Sequence, residues 1–214
     1  MLGEWAEPPR DCPRCPRLVA FRAAWRVREP QWHNAPVPSF GPIDAWLLIV
    51  GLAPGLQGAN RTGRPFTGDY AGDLLYATLL EYGFAQGHYE ARPDDGLVLV
   101  DARISNAVRC VPPENKPAGP EVATCCDFLK AEIAAMPNIR AMVALGRIAH
   151  DSAVVALGGK RSAFDFSHGR AHALGPITLF DSYHCSRYNT NTGVLTPEMF
   201  RSVFAAARDH LRSA

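Results

Sequence analysis

Long apolar runs are absent from this 214-residue chain. Nothing in it approaches the roughly eighteen consecutive apolar residues of a membrane-spanning helix. The first residues, MLGEWAEPPRD, carry no apolar segment of the secretory kind. A soluble, cytoplasmic protein without membrane contact is expected. An excess of charge is also lacking. With 22 Lys and Arg against 21 Asp and Glu, the formal net charge is +1. That excludes a grossly basic chain, yet leaves room for a local phosphate-binding face from Arg61, Arg64, Lys116 and Arg187. Internal repeats and low-complexity tracts are missing too, so a single domain spanning 1–214 is expected. What is plentiful is glycine and proline, 18 of each, many of them in loops, and there are six cysteines in an uneven arrangement.

Cys12 and Cys15 stand in CPRC, Cys110 lies far downstream, and Cys125 and Cys126 follow near the start of a predicted helix. Thiols gathered from such distant places form a metal-centre pattern. A disulfide framework is the rival reading, but a chain of this size buries a full hydrophobic core without staples. Four thiolates suit structural zinc and a 4Fe-4S cluster alike, and spacing does not choose between them. Val122, Cys126, Leu129, Ile133 and Met136 make a helical stripe on the helix that Pro120 opens, so Cys126 reads as a small core residue. Cys125 sits beside the stripe and is the better ligand. Cys185 has no paired partner in sequence and reads as structural.

The periodicities predict an α/β protein. Leu18 to Val27 reads as a short helix, and Pro30 to Pro42 as irregular chain. Ala45 to Val50 is a continuous apolar run, as expected of a buried parallel strand, and it ends in a glycine loop. Leu74, Leu75, Leu79 and Leu80 give Asp73 to Tyr82 a helical pattern. Leu97 to Val100 and Ile104 to Val108 read as short strands or one bent strand, and Ile139 to Leu145 as a further strand running into a helix at Arg147 to Leu157. Gly158 to Ala173 reads as an irregular surface connection. Ile177 to Phe180 is another strand, and Thr196 caps a last helix with Pro197 at its first position. The order implies a three-layer αβα sandwich on a mainly parallel sheet of about four strands. Ligands bind beyond the carboxyl ends of such strands, where the suspicious loops fall.

The first of these loops, Gly51 to Gly72, holds six glycines, two prolines, two aromatics and one acid, Asp69. It lacks the GK[ST] ending of a phosphate loop and the GxGxxG spacing of a dinucleotide loop. Backbone amides, Phe66 and Asp69 presented together suit a flat polar ligand such as a nucleobase, with an exposed Phe66 stacking on it. The plainer reading makes Phe66 a core anchor. Asn106, at a predicted strand end, offers a donor and an acceptor side by side, as a base edge requires. CVPPENKP couples Cys110 to a rigid loop bearing Asn115 and Lys116, and SYHCSRYNTNTG supplies His184, Ser186, Arg187, Asn189, Asn191 and Thr192 directly after a strand.

GLAPGLQGANRTGRPFTGD, NAVRCVPPENKP and HCSRYNTNTG together resemble the motifs of the iron-sulfur uracil-DNA glycosylases, specifically their family 5 branch. With the cysteines, the resemblance runs from Cys12 to Gly193. It implies a 4Fe-4S cluster on Cys12, Cys15, Cys110 and Cys125, with zinc as the alternative, and DNA containing deaminated bases as the partner of a monomer. It implies base contacts from Gly51, Leu52, Ala53, Phe66 and Asn106, catalysis by Asp69, His184 and Asn115, and DNA contacts from Arg64, Lys116, Ser186, Arg187, Asn189, Asn191 and Thr192. Many uracil glycosylases place an acid or amide where this chain has Ala53, as family 5 members do, and Asp69 is the family's suggested substitute. Tolerance of other deaminated bases, such as hypoxanthine or xanthine, is implied as well. The rival function is a non-catalytic nucleic-acid or ligand-binding module around structural zinc; an electron carrier is a third reading.

Overall fold

The computed structural model describes residues 7–213. In chain order the first elements are α1 (Pro16–Arg28), β1 (Leu47–Gly51), α2 (Ala59–Thr62), α3 (Tyr70–Glu81), β2 (Ala85–Gln86), β3 (Val98–Leu99) and β4 (Ala102–Asn106). There follow α4 (Gly119–Ala135), β5 (Ala141–Leu145), α5 (Arg147–Ala156), β6 (Ala171–Leu174), β7 (Ile177–Ser182), α6 (Arg187–Asn191) and α7 (Pro197–Ser213). No helix is long and apolar enough to cross a membrane among the described residues.

The sheet runs β4-β1-β5-β7-β6, its first four strands parallel and β6 antiparallel at the edge. Strand β1 lies inside the sheet, between β4 and β5; every residue of LLIVG is buried, and its alternate side chains serve two separate cores. Leu47 and Ile49 pack with Leu75, Leu79, Phe200 and Phe204 of α3 and α7, while Leu48 and Val50 pack with Leu129, Ala149 and Val154 of α4 and α5. The two cores are the two faces of the expected sandwich. Thr196 Oγ1 accepts from the Met199 amide at 3.2 Å, ahead of Pro197, so α7 starts where its capping pattern placed it.

One expectation changes, and one pair of alternatives is decided in favour of two short strands. The sheet gains a fifth strand, because the connection read as irregular ends in β6, which buries His172 and Leu174 while Ala171 and Ala173 face out. Val98–Leu99 leaves the main sheet and pairs antiparallel with Ala85–Gln86 as a separate ribbon. Asp101, with φ of 51°, turns the chain between that ribbon and β4, which breaks the single bent strand.

A third, smaller core joins α1 to the start of α4 through Leu18, Val108, Cys110 and Cys125. It is braced by a buried ionic network. Glu132, fully buried on α4, accepts from Arg103 Nε at 2.6 Å, Ser105 Oγ at 2.7 Å and Arg109 Nη1 at 3.3 Å. Arg109 also donates to Val37 O at 2.9 Å and pairs with Glu7, so the chain segment between Asn106 and Cys110 is pinned from three sides.

Candidate active site

A cleft of about 620 Å³ opens where β1, β4 and β7 end, within the size range of small-molecule sites. Leu52, Ala53, Phe66, Asp69, Asn106, Asn115, His184, Ser186 and Arg187 line it, drawn from four separate stretches of the sequence. Its floor is set by strand register. Gly51 pairs with Asn106 across β1 and β4, and a Cβ at residue 51 would lie 2.4 Å from Asn106 Oδ1 and 2.6 Å from Phe66 Cζ. Only glycine lets the amide and the ring come this close to the strand end. The Asn106 side chain is 3 % exposed, and its Oδ1 is buried with no hydrogen-bond partner among the described residues. An acceptor left in that state favours a donor from a ligand.

Phe66 is buried rather than exposed, and it belongs to the core beneath the cleft while still facing it. Its backbone is left-handed, with φ of 51°, a conformation few aromatic residues adopt. The ring lies against His184, centroids 6.0 Å apart and planes 28° apart. His184 follows β7, and burial pushes its imidazole down to about 4, with no hydrogen-bonding or charged partner to offset it. It is therefore a neutral ring at physiological pH.

Asp69 stands at the N-terminus of α3. Burial raises its pKa above the ordinary carboxylate range, opposed by the amides of Gly72 and Ala71. Its Oδ1 is buried without a partner among the described residues, and its Oδ2 lies under the glycine loop, where a Cβ at Gly58 would approach it to 2.3 Å. Asn115 reaches the cleft from an exposed rim, with φ of 56° after Glu114 at 55°. Ala53, the alanine in the first motif, lines the cleft with them.

The residues expected to contact DNA divide. Ser186 and Arg187 line the cleft mouth, Arg187 with its guanidinium 5.2 Å from the Tyr70 ring. Lys116, Asn191 and Thr192 are exposed outside the cleft lining, Lys116 Nζ 3.5 Å from Glu114 and Thr192 Oγ1 donating to Tyr188 O. Asn189 is turned inward, donating from Nδ2 to the His184 carbonyl at 2.8 Å, so it holds the His184 turn. Arg64 corrects the sequence reading outright. Its side chain is 5 % exposed and forms a two-pronged pair with Asp95, at 2.8 and 2.7 Å, so the guanidinium is turned into the protein and away from any phosphate outside. Its position beside Pro65 in a basic loop gave no sign of this, because Asp95 is 31 residues away.

The four expected thiols line one small pocket, Cys12, Cys15, Cys110 and Cys125 together with Leu18, Arg22 and Phe128. Burial pushes the Cys110 thiol up to about 11 and that of Cys125 to about 12. Two donors meet them, Arg22 Nη1 3.6 Å from Cys110 Sγ and the Arg109 amide 3.3 Å from Cys125 Sγ. Cys126 points away toward Ser152 O on α5, and Cys185 is wholly buried against Ala71 O. The stripe reading thus separates the adjacent cysteines as the helix does.

Sequence reasoning missed one buried group. His150 Nδ1 and His172 Nε2 lie 2.7 and 2.9 Å from the two oxygens of Asp181, with the second nitrogen of His150 on Phe164 O at 2.8 Å. Despite burial, those hydrogen bonds raise the His150 pKa, and the cluster ties α5, β6 and β7 together. It lies outside the cleft lining. Its only signal was the polar character of residues 158–173.

Neutral His184 gives a direct expectation. Its ring resonances followed by NMR should stay those of a neutral imidazole from pH 8 down to pH 5.5, since burial places protonation about 4. A midpoint close to the ordinary ~6.5 would show that the ring is solvated and the described cleft too closed.

Residues 38–208 match the model of the uracil DNA glycosylase superfamily. The chain is 46 % identical over 204 residues to a type-5 uracil-DNA glycosylase of Thermus thermophilus, covering 92 % of each chain. It is 38 % identical over 201 residues to one of Pyrobaculum aerophilum, covering 92 % of this chain and 88 % of that one. Against the type-5 protein of Mycobacterium tuberculosis it is 41 % identical over 207 residues, with 92 % and 77 % covered. A match over this much of the chain, on a parallel sheet whose strand ends carry the cleft, shows that the chain belongs to the uracil-DNA glycosylase superfamily.

Proposed function

We propose that this chain hydrolyses the N-glycosidic bond of uracil in DNA, leaving an abasic sugar as the start of base excision repair. The observation that carries the reading is the buried, partnerless Oδ1 of Asn106 on the floor of the cleft, beside an aromatic wall of Phe66 and His184. Uracil presents N3–H beside a carbonyl, so Oδ1 accepts the first and Nδ2 donates to the second. Hypoxanthine and xanthine present the same edge, and about 620 Å³ has room for a purine. Flipping the base out of the stack costs roughly a few kcal/mol. Contact with Phe66 and Asn106 offsets that cost.

Bond breakage leaves negative charge on the departing base and an oxocarbenium-like sugar. Neutral His184 donates to the base carbonyl oxygen, assisted by amides of the loop after Gly51. Asp69 is the carboxylate nearest the cleft interior; its charge stabilises the sugar, and its partnerless oxygen orients water, with Asn115 completing the rim. Arg187, Ser186, Lys116, Asn191 and Thr192 hold the DNA backbone. Asn189 supports the turn that carries His184, and buried Arg64 takes no part in that contact.

The cysteine pocket fits a 4Fe-4S cluster in this reading. Among the described residues, the one trio of His, Cys, Asp or Glu ligand atoms all within 4.8 Å of each other is His150, His172 and Asp181. The thiols are therefore spread more widely than the ~3.8 Å between sulfurs that Zn–S bonds of about 2.3 Å impose. Four thiolates with buried Arg22 beside them also suit a group of net negative charge. When bound, the cluster would supply iron–thiolate bonds that tie the N-terminal segment, the Cys110 loop and α4 into one body. Purified protein is expected to be brown with absorption near ~400 nm. Cys125→Ala should lose that colour and Cys126→Ala keep it; the reverse, or colourless protein with one zinc, would contradict the assignment.

Incubated with a uracil-containing oligonucleotide and then alkali, the protein should yield a cut strand. Binding without cutting would instead favour a non-catalytic module. Asp69→Asn should slow single-turnover excision, on the order of 100-fold for loss of a positioned charge. The sign of the pH effect follows from its raised pKa: wild-type activity falls on acidification through that pKa, and the Asn variant loses this acid limb. An unchanged rate and limb in Asp69→Asn would remove this carboxylate from catalysis.

A further inference from the structure

Asp95 lies on the connection from β2 to β3, outside the cleft lining, and at first sight has nothing to do with the site. Its side chain is wholly buried. Both oxygens are occupied: Oδ1 accepts from Arg64 Nη1 at 2.8 Å and the Leu97 amide at 3.1 Å, and Oδ2 from Arg64 Nη2 at 2.7 Å and the Glu90 amide at 3.0 Å. These partners hold the carboxyl well below the usual range.

Arg64 passes the constraint on. Its Nε donates to Thr67 Oγ1 at 2.7 Å, and its guanidinium lies 5.2, 5.4 and 5.8 Å from the rings of Phe40, Tyr76 and Tyr89. Those tyrosines grip the residues between. Tyr76 Oη donates to Pro65 O at 2.6 Å, and Tyr89 Oη to Phe66 O at 3.1 Å. A Cβ at Gly72 would lie 1.9 Å from that same Phe66 oxygen, so the grip also needs glycine there. Everything enclosed by these contacts is Pro65–Phe66–Thr67, and its middle residue is the one with φ of 51°. A left-handed phenylalanine persists only where its surroundings over-determine it.

We infer that Asp95 is a positioning residue for base recognition: through Arg64, and with the tyrosine hydroxyls, it clamps Phe66 in its left-handed conformation so that the ring faces the flipped base. This rests on the glycosylase reading above. The clamp explains why the connection between β2 and β3 folds back on the glycine loop, and why Arg64 is buried rather than offered to DNA.

The test is a double-mutant cycle on the single-turnover rate with saturating enzyme and uracil-containing duplex. Asp95→Asn should slow excision on the order of tenfold, because a misplaced contact of about an ångström costs that much or more. In a Phe66→Ala background the same change should have no further effect. Affinity for a duplex without a deaminated base should stay at the wild-type value, which a general loss of structure would not allow. Tyr89→Phe removes only the hydroxyl on the Phe66 carbonyl and should repeat the pattern in milder form, so it decides the matter if Asp95→Asn does not fold. Wild-type rates in both variants, or effects that multiply fully with Phe66→Ala, would overturn the clamp. Inactivity of the wild type on deaminated bases would sink the glycosylase reading instead. Amide exchange across residues 64–69, expected to rise in Asp95→Asn and contradictory if unchanged, tests the clamp without activity.

Discussion

The missing side chain at Gly51 is the constraint on which the cleft depends. At the end of β1 the strand must give way to a loop, and there Asn106 Oδ1 and the Phe66 ring both occupy the space that any Cβ would take. The parallel pairing of β1 with β4 brings Asn106 to that point by register, while the loop with its left-handed turn at Phe66 brings the ring there. Removing one methyl-sized volume thus creates a floor with a hydrogen-bonding edge and an aromatic wall. The sheet supplies the rigidity, and the loops beyond the strand ends supply the chemistry.

Around that floor the polar groups are held in an unusual state. Asn106 and Asp69 each keep an oxygen buried with no partner among the described residues, and His184 stays neutral in a desolvated position. Such groups cost stability in the free protein, since desolvation is not offset. A substrate that pairs them recovers the cost in the complex. The compensating rigidity lies behind the cleft, in the Arg64–Asp95 pair on one side and the Arg103–Arg109–Glu132 network on the other. Arg109 lies between Asn106 and Cys110 in sequence, so the same network steadies the chain beside Asn106 and a thiol of the cysteine pocket.

Much of this was legible before any coordinates. The apolar run ending at Val50, the capping of α7 by Thr196 and the stripe that separates Cys126 from Cys125 depend on local periodicity, and the structure keeps all three. What escaped depends on contacts far apart in sequence. Arg64 reads as a phosphate contact until Asp95 comes within 2.8 Å of it, and nothing in the sequence shows that Asn189 donates to the His184 carbonyl. Strand β6 has only four residues and sits at an edge, so its alternation is too short to stand out from the polar connection before it. The burial of Phe66 was open in the sequence, and the structure makes it core anchor and cleft wall together.

The account turns on Gly51, and its replacement by alanine tests it most directly. The backbone there tolerates a side chain, so Gly51→Ala should fold, but its Cβ would lie 2.4 Å from Asn106 Oδ1 and 2.6 Å from Phe66 Cζ unless one of them moves. Single-turnover release of uracil by the folded variant should then fall on the order of 100-fold, the scale of a misplaced reacting group. Release at the wild-type rate would contradict the account, because it would show that the base is read without Asn106 and Phe66 meeting at the end of β1.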